Sequence, residues 1–283
     1  MNKILITGGS GFIGKELIRK FKYKKVYFIT KKKRKTLPGH HNIVCNLTNK
    51  KKLISEVKKI NPNVIYHLAW HGIPKFNKKN FKINLKITKN LIEAMNLSKC
   101  KTIIVSGTCA EYGFSNKILH ENSKTNFNSP LGKQKKMIKD YLTNNLDKKT
   151  ALIWLRIFYV YGPQQRKGSL MQFLEEAKNK KEHLKLKHPH VRNDFIYIKD
   201  VIEALSKIKK TNISSVINIC TGKPTSNIEF IKKFEKVAKH KINIDSSNKK
   251  NTKKLLYGSN AKLKKLGWIQ KYSIEKALKE IIN

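Results

Sequence analysis

The segment Ile4–Gly14, which reads ILITGGSGFIG, decides the fold. Its apolar beginning predicts a buried β-strand, and its spaced glycines come where a helix is predicted to begin. Such glycines allow the main chain to turn sharply and to approach a pyrophosphate, and the N-terminus of the helix offers free N–H groups to that anion. The segment therefore predicts a dinucleotide site, with a purely structural glycine turn as the alternative.

The chain continues as short apolar runs that alternate with helical stretches, which is typical of parallel β-α-β units. The predicted strands are Lys3–Thr7, Val26–Thr30, Ile43–Cys45, Val64–Leu68, Thr102–Ser106, Ala151–Phe158, Phe195–Ile198 and Val216–Ile219. The predicted helices are Phe12–Phe21, Lys51–Lys59, Phe81–Leu97, Lys133–Asn145, Leu170–Asn179, Val201–Ile208, Ile228–Ala238 and Ile274–Ile282. This order predicts an α/β fold with a Rossmann-like, doubly wound parallel sheet.

The same alternation predicts how the chain is divided into domains. Residues 1–162 form an NAD(P)-binding domain in this interpretation, and about 194–220 complete its sheet. Residues 163–193 and 221–283, where the rhythm loosens, form a small substrate-binding lobe.

The charge of the chain is strongly positive. Of its 283 residues 62 are Lys or Arg and 18 are Asp or Glu, which gives a net charge of +44, while 39% are hydrophobic and suffice for a core. Only five of the cations are Arg, the residue that nucleic-acid-binding proteins favour for bidentate contacts. We interpret the dispersed lysines as a solvated surface, with a polyanion-binding surface as the alternative. Nucleic acid should bind only nonspecifically and less at high salt.

Other features of the sequence narrow the class of protein. No apolar run is long enough to cross a membrane, and the apolar beginning is too short for a signal peptide, which predicts a cytoplasmic protein. The cysteines share no C-x-x-C spacing and are interpreted as reduced thiols; they are Cys45, Cys100, Cys109 and Cys220. The paired histidines lack acids at metal-ligand spacing, so no metal is predicted.

The end of the second predicted strand bears on the cofactor. An NAD site usually has an acid there, whereas Lys31–Arg34 reads KKKR and cations suit a 2′-phosphate. The pattern favours NADP slightly over NAD.

Further motifs follow the glycine turn in the order typical of one enzyme family. They are HLAW at 67–70, Asn84, SGTCAEYG at 106–113, LRIFYVYGP at 155–163, DFIYIKDV at 194–201, NICTG at 218–222 and LGW at 266–268. Together they resemble the extended short-chain dehydrogenases/reductases of the NAD(P)-dependent nucleotide-sugar epimerase/dehydratase family, nearly from end to end.

The resemblance implies an NAD(P)-dependent oxidoreductase or epimerase that acts on a nucleotide sugar. It implies that Thr108 and Lys135 are catalytic and that Tyr112, Tyr159 and Arg192 bind substrate. The cofactor contacts that the residues and the resemblance together predict are Gly8, Ser10, Gly11, Phe12, Ile13, Gly14, Lys31, Leu47, Leu68, Ala69, Asn84 and Lys135.

One residue departs from the family pattern. The family's catalytic pair is Tyr-x-x-x-Lys on a helix, where the cation brings the phenol's pKa down from near 10. Residues 129–135 read SPLGKQK, so Leu131 stands in the place of the tyrosine. Leucine carries no proton, which predicts weak turnover and a gain of about 100-fold in Leu131→Tyr. If the native protein already turns over normally, Tyr112, Tyr159 or a bound water would be the proton carrier.

The branch of the family is predicted from the residues around Thr108. Dehydratases of this family follow the site threonine with Asp-Glu, whereas Cys109 and Ala110 follow it here. The pattern favours a reductase of 4-keto-6-deoxy sugar nucleotides. The alternatives are an epimerase, a catalytically silent member that binds cofactor or sugar nucleotide, and the polyanion-binding protein.

The resemblance also implies a homodimer that packs through a four-helix bundle. The apolar residues that could supply its surface are Ile83, Ile87, Leu91, Met137, Ile138, Tyr141 and Leu142, and a face buried within one chain is the alternative. His67 is interpreted as an interior histidine and Cys109 as a buried thiol.

Overall fold

The computed structural model describes residues 3–21, 25–127, 129–166, 168–180, 184–186, 188–208, 213–245 and 254–282. The described residues form two compact units. The first is drawn from Met1–Glu111, Thr125–Arg156 and Leu205–Ile217, and the second from Tyr112–Lys124, Ile157–Ala204 and Asn218–Asn283. The domain boundaries inferred from the sequence stay a prediction.

Each predicted strand and helix is present, with ends that differ by up to three residues. The structure adds short elements that were not predicted, at Tyr159–Tyr161, Leu184–Lys185, Pro224–Ser226, Ile244–Asp245, Leu255–Leu256 and Ala261–Lys265. The strands are β1 Ile4–Thr7, β2 Val26–Thr30, β3 His40–Val44, β4 Val64–His67, β5 Thr102–Ser106, β6 Ala151–Ile157, β7 Tyr159–Tyr161, β8 Leu184–Lys185, β9 Arg192–Tyr197, β10 Ser215–Ile219, β11 Pro224–Ser226, β12 Ile244–Asp245 and β13 Leu255–Leu256. The helices are α1 Phe12–Lys20, α2 Lys50–Ile60, α3 Lys78–Asn96, α4 Pro130–Asn145, α5 Leu170–Lys180, α6 Ile198–Ile208, α7 Asn227–Ala238, α8 Ala261–Lys265 and α9 Ile274–Ile282.

A seven-stranded sheet in the order β10-β6-β5-β4-β1-β2-β3 confirms the predicted fold class. β1 pairs in parallel with both β2 and β4, and β5 pairs in parallel with β4 and β6. Every residue of β1 and β6 is buried, because helices cover both faces of such a sheet. The strand order reverses beside β1, and ligands of open α/β sheets bind at this point.

Only part of the region 194–220 joins the central sheet. β10 joins the central sheet, whereas β9 pairs with β7, β11 and β13 in a separate four-stranded sheet. The expectation for this region is therefore corrected in part. A short buried strand has the same apolar pattern in either sheet, so its partners were not readable from its own residues.

The helices of the first unit differ in how they begin. The side chains of Asn49, Asn77 and Ser129 cap α2, α3 and α4, each by accepting a main-chain N–H bond. α1 begins after Gly11 and has no side-chain cap. Its first N–H groups are consequently left for another acceptor.

The prediction of a dimer surface is wrong for four of the residues assigned to it, because they are not at the surface. Ile87, Leu91, Ile138 and Leu142 are buried in the core of the first unit. Leu91, Ile138 and Leu142 pack in one cluster with strand residues such as Ile103, which agrees with the alternative of a face buried within one chain. Met137 differs from them and is exposed on α4.

Among the described residues no helix has the length and apolar character needed to span a bilayer. Within the same residues no group of three His, Cys, Asp or Glu side chains is arranged to hold a metal ion. All four cysteines are buried thiols.

Candidate functional site

The glycine turn is held by close main-chain contacts. Gly8 has a φ of +76°, and a Cβ there would lie 2.7 Å from the nitrogen of Ala69. A Cβ on Gly14 would lie 2.2 Å from the carbonyl oxygen of Gly8. Packing within the fold therefore requires glycine at both positions.

Gly11 is different, because the fold itself leaves more space beside it. A Cβ there would approach only the oxygen of Gly8, at 3.1 Å. Gly11 is exposed and precedes the uncapped helix α1. A side chain at Gly11 would thus fill the space in which an anion meets the helix N-terminus.

A pocket of about 280 Å³ lies beside this turn. Its lining consists of Gly9, Ser10, Lys15, Ile18, Arg19, Phe28, Arg34, Lys35, Thr36, Leu37 and His40. Four of these side chains are cationic and none is a carboxylate. Lys31, the predicted contact, is exposed and does not line the pocket, whereas Arg34 and Lys35 from the same loop do.

These features fit a dinucleotide cofactor. The uncapped helix and the open side of Gly11 suit a pyrophosphate, and the cationic pocket beside β2 suits the adenosine end. The other predicted contacts surround the turn: Ser10 is exposed, and Phe12, Ile13, Leu47, Leu68 and Ala69 are half-buried. Their contacts with a cofactor stay predictions.

β1 and β4 are joined at their ends by a buried histidine. His67 Nδ1 is hydrogen-bonded to Thr7 Oγ1 at 2.7 Å. Burial, and next the charge of Lys135, lower the pKa of His67 to about 3. His67 is therefore neutral at ordinary pH and supports the sheet, in agreement with the interior interpretation.

Asn84 holds the loop that follows β4. Its Oδ1 accepts a hydrogen bond from the His71 nitrogen at 2.8 Å, and its Nδ2 donates to the His71 oxygen at 3.0 Å. Asn84 is buried. Its amide positions the segment that begins with Ala69 and Trp70, and a direct cofactor contact stays a prediction.

Thr108 lies in a short loop after β5, and the side chain of Glu111 holds this loop through hydrogen bonds. Glu111 Oε1 accepts hydrogen bonds from the Thr108 nitrogen at 3.0 Å and from Trp154 Nε1 at 2.9 Å. Arg156 Nε donates to Glu111 Oε2 at 3.0 Å, and both side chains of this ion pair are buried. A buried pair of this kind fixes the loop because displacement of either charge would leave the other buried and unpaired.

The hydroxyl of Thr108 is left able to donate. Its Oγ1 accepts a hydrogen bond from the Ala110 nitrogen at 3.2 Å. The hydroxyl hydrogen remains for another acceptor, such as a substrate oxygen.

α4 begins directly against this loop. A Cβ on Gly132 would lie 2.6 Å from the oxygen of Ala110, so only glycine allows this approach. Leu131 precedes it and is half-buried, and Lys135 follows one turn later on the same face. The structure thus brings Thr108, Leu131 and Lys135 into one neighbourhood.

The side chain of Lys135 is buried at the end of β5, beside Trp70. Its Nζ donates to the Ser106 oxygen at 2.5 Å and lies 3.8 Å from the centre of the Trp70 ring. The residue is only 6% exposed. Burial lowers the pKa of Lys135 to about 7, although the charge of Glu111 acts in the opposite direction.

The three residues predicted to bind substrate belong to the second unit. The Tyr112 hydroxyl is buried, within hydrogen-bond distance of the His120 oxygen and of Asn218 Oδ1, at 2.9 and 2.7 Å. Tyr159 is 37% exposed and packs on the Phe195 ring.

The third of them, Arg192, makes contacts inside the same unit. It donates to Glu229 at 3.0 Å and to the Pro224 oxygen at 2.9 Å. The roles of all three toward a substrate stay predictions.

A family model matches most of the chain. Residues 4–220 match the model of the NAD dependent epimerase/dehydratase family. The chain belongs to this family. The matched region contains the glycine turn, the Thr108 loop and Lys135, so the expected type of enzyme is confirmed.

Individual relatives within the family are distant but nearly full-length. The chain is 25% identical to the dTDP-6-deoxy-L-talose 4-dehydrogenase (NAD(+)) of Aggregatibacter actinomycetemcomitans, over 85% of this chain and 92% of that protein. It is 26% identical to the CDP-abequose synthase of Salmonella muenchen, over 99% and 97%. The UDP-glucose 4-epimerase of Thermus thermophilus, solved in complex with NAD, has a TM-score of 0.86 at 20% identity, over 99% and 97%. This last likeness shows the same fold.

Sequence reasoning missed two residues of this site. The motifs gave no role to Glu111 or Trp70, yet Glu111 holds the Thr108 loop and Trp70 contacts Lys135. The sequence did contain a signal for Glu111. Acids are scarce in this chain, with 18 in all, yet one lies three residues after Thr108, and the next motif carries Arg156 as a possible partner.

Proposed function

We propose that the protein is a reductase of 4-keto-6-deoxy sugar nucleotides, with a modest preference for NADPH over NADH. The observation that carries this proposal is the Thr108 loop, where a potential hydrogen-bond donor is followed by Cys109 and Ala110. Cys109 is a buried thiol, and alanine has no ionisable group. Removal of water from a sugar needs an acid and a base, whereas reduction of a ketone needs a hydride and one proton.

The distant relatives support the same substrate class. One of them is a 4-dehydrogenase of a 6-deoxytalose nucleotide, and its name describes the reverse of a 4-keto reduction. Because the identity is 25%, the test of the function varies both the sugar and the nucleotide.

The residues of the chain have distinct tasks in this proposal. The bound nicotinamide supplies the hydride. The helix α1 and the open side of Gly11 hold the pyrophosphate. The hydroxyl of Thr108 donates a hydrogen bond to the substrate oxygen and stabilises the negative charge that develops there.

The preference for NADPH rests on the pocket beside the turn. Lys15, Arg19, Arg34 and Lys35 line it without an acid, and a 2′-phosphate adds negative charge at the ribose. Calorimetry with NADPH and NADH measures the preference directly. Equal affinities would remove the preference, and no heat with either cofactor would remove the dinucleotide site as a whole.

The function is tested by turnover of a panel of nucleotide sugars. Purified protein is mixed with NADPH or NADH and with dTDP-, CDP- or GDP-linked 4-keto-6-deoxy sugars, and UDP-glucose tests for epimerisation. We expect oxidation of the reduced cofactor with a 4-keto substrate. Binding of cofactor without turnover of any substrate, even in Leu131→Tyr, would instead favour the catalytically silent alternative.

The homodimer and the cytoplasmic location belong to the same proposal. Met137 is exposed and the half-buried Ile83 and Tyr141 lie on the predicted surface, while the net charge of +44 opposes association at low salt. Sedimentation at micromolar concentration and two salt concentrations tests the dimer. A stable monomer at high salt would contradict it.

A further inference from the structure

We propose that Lys135 itself exchanges the proton with the substrate oxygen, in the place of the missing tyrosine. This inference rests on the reductase function proposed above. It assigns to the lysine a different task from that of supporting a neighbouring phenol.

The first support is the position of the lysine. Because Gly132 has no side chain, the beginning of α4 lies against the Ala110 oxygen and directly beside the Thr108 loop. Lys135 Nζ reaches the Ser106 oxygen at 2.5 Å, two residues before Thr108. The ammonium group and the threonine hydroxyl therefore belong to the same end of β5.

The second support is that two neighbouring titratable groups, His67 and Glu111, are bonded to other residues. His67 is neutral, with a pKa lowered to about 3, and is bonded to Thr7. Glu111 accepts its bonds from Thr108, Trp154 and Arg156. Lys139 lies one turn beyond Lys135 on α4 and is thus further from the start of the helix at the Thr108 loop; burial, and next the charge of Arg156, lower its pKa.

Tyr112, the first alternative that the sequence offered, is directed elsewhere as well. Its hydroxyl lies 2.7 Å from Asn218 Oδ1 inside the second unit, and it is 2% exposed. The phenol proton is consequently held by a buried acceptor.

The third support is that the environment makes Lys135 able to change its protonation. The Trp70 ring, 3.8 Å away, favours the ammonium form, and so does the charge of Glu111. Burial acts against both and is stronger, so the pKa falls to about 7. A general acid or base works best when its pKa lies near the pH of the reaction.

The proton balance of the step is simple. Reduction of the ketone needs a hydride, which a bound reduced nicotinamide would supply to the carbonyl carbon, and one proton, which the carbonyl oxygen takes from the ammonium of Lys135 to become a hydroxyl. The lysine is left as a neutral amine and regains a proton from water. In the direction of oxidation the neutral amine takes the proton of the sugar hydroxyl.

The first test compares Lys135→Arg with the native protein. Arginine keeps the positive charge but does not give up a proton at any ordinary pH. We expect the rate of reduction to fall by about 100-fold or more, and the native decline of the rate above pH 7 to disappear. Lys133→Arg, an exposed position on the same helix, is the matched control and should keep the native rate and pH profile.

The test is completed by a second variant that introduces a phenol at position 131, one helical turn before position 135. Leu131→Tyr in the Lys135→Arg background should restore about 100-fold of the rate, because the guanidinium lowers the pKa of the new phenol. Restoration shows that the loss in Lys135→Arg was the loss of a proton carrier and not of the fold.

The second test does not use activity. The free energy of unfolding is measured against pH for the native protein and for Lys135→Met. Between pH 7 and the ordinary lysine pKa of 10.5, the unfolded chain binds a proton at Lys135 that the folded chain does not. The native stability, relative to Lys135→Met, should therefore rise with pH across this window.

The outcomes separate this inference from the proposed function. Lys135→Arg that reduces substrate at the native rate, or a stability difference that does not change between pH 7 and 10.5, overturns the role of Lys135 and leaves the reductase standing. If neither the native protein nor Leu131→Tyr reduces any substrate although both bind cofactor, the reductase proposal fails and the role of Lys135 fails with it.

Discussion

The glycine turn after β1 and the beginning of α4 make an instructive comparison within the first unit. Both are places where a glycine brings a helix against main chain: Gly14 against the Gly8 oxygen and Gly132 against the Ala110 oxygen. The turn keeps every residue type that its family pattern requires. The start of α4 keeps the proline, the glycine and the lysine but has Leu131 in place of the phenol.

The difference shows that binding and proton transfer depend on different kinds of residue. Binding of a pyrophosphate uses main-chain N–H groups and space, which glycine provides. Proton transfer needs a titratable side chain, and here the structure leaves a buried lysine where the family has a lysine and a phenol. Substitutions at the turn should therefore act by filling space, and substitutions on α4 by changing charge and proton transfer.

The largest expected effects are at the turn. Gly14→Val should prevent folding, because its side chain would overlap the Gly8 oxygen, 2.2 Å from a Cβ. Gly11→Val should fold and lose NADPH binding by at least about 100-fold, since it fills the space for the pyrophosphate. Thermal unfolding and calorimetry measure the two effects. A Gly11→Val protein that still binds NADPH would contradict the assignment of this space.

The next largest effect concerns the ion pair beneath Thr108. Glu111→Gln removes the carboxylate that faces the 5% exposed Arg156, and loss of one partner of a buried pair costs about 3 kcal/mol or more. Denaturant unfolding measures this loss. Glu93→Gln, at a solvent-exposed pair with Lys50, is the control and should change stability by less than about 1 kcal/mol. Equal effects at both sites would show that Glu111 does not hold the loop.

Leu131→Tyr in the native background sharpens the comparison further. The sequence alone predicts that this substitution raises the rate of reduction by about 100-fold. With Lys135 able to move the proton, we expect a smaller gain of about tenfold, and the full gain only when Lys135 is arginine. Rates of cofactor oxidation in the two backgrounds give the answer. A gain of about 100-fold in both backgrounds would show that Lys135 supports a phenol and does not itself transfer the proton.

The smallest effect is expected at the cationic pocket. Arg34→Gln should weaken NADPH binding by about three- to fivefold and leave NADH binding unchanged, because an exposed ion pair contributes at most about 1 kcal/mol. Lys33→Gln, an exposed neighbour that does not line the pocket, is the matched control. If Arg34→Gln weakens both cofactors equally, the pocket does not recognise the 2′-phosphate.

The sequence predicted well the features that depend on neighbouring residues and less well those that depend on distant segments. The strand β1, the glycine turn and α1 follow one another within Ile4–Lys20, and their pattern is complete in the sequence itself. The partners of β9 and the burial of Ile87 and Leu91 depend on segments far along the chain. An apolar helix face reads the same whether another helix of its own chain or a second chain covers it.

The sequence by itself determined the α/β fold, the place of the dinucleotide turn and the absence of a phenol at Leu131. These follow from residue types at short spacings, which limit the main chain or supply a titratable group. Only the tertiary structure decided that Glu111 joins Trp154 and Arg156 and that Lys135 is buried against Trp70. Burial and partnership are set by groups from several strands and helices at once, and the desolvation that lowers the pKa of Lys135 arises only when all of them are packed together.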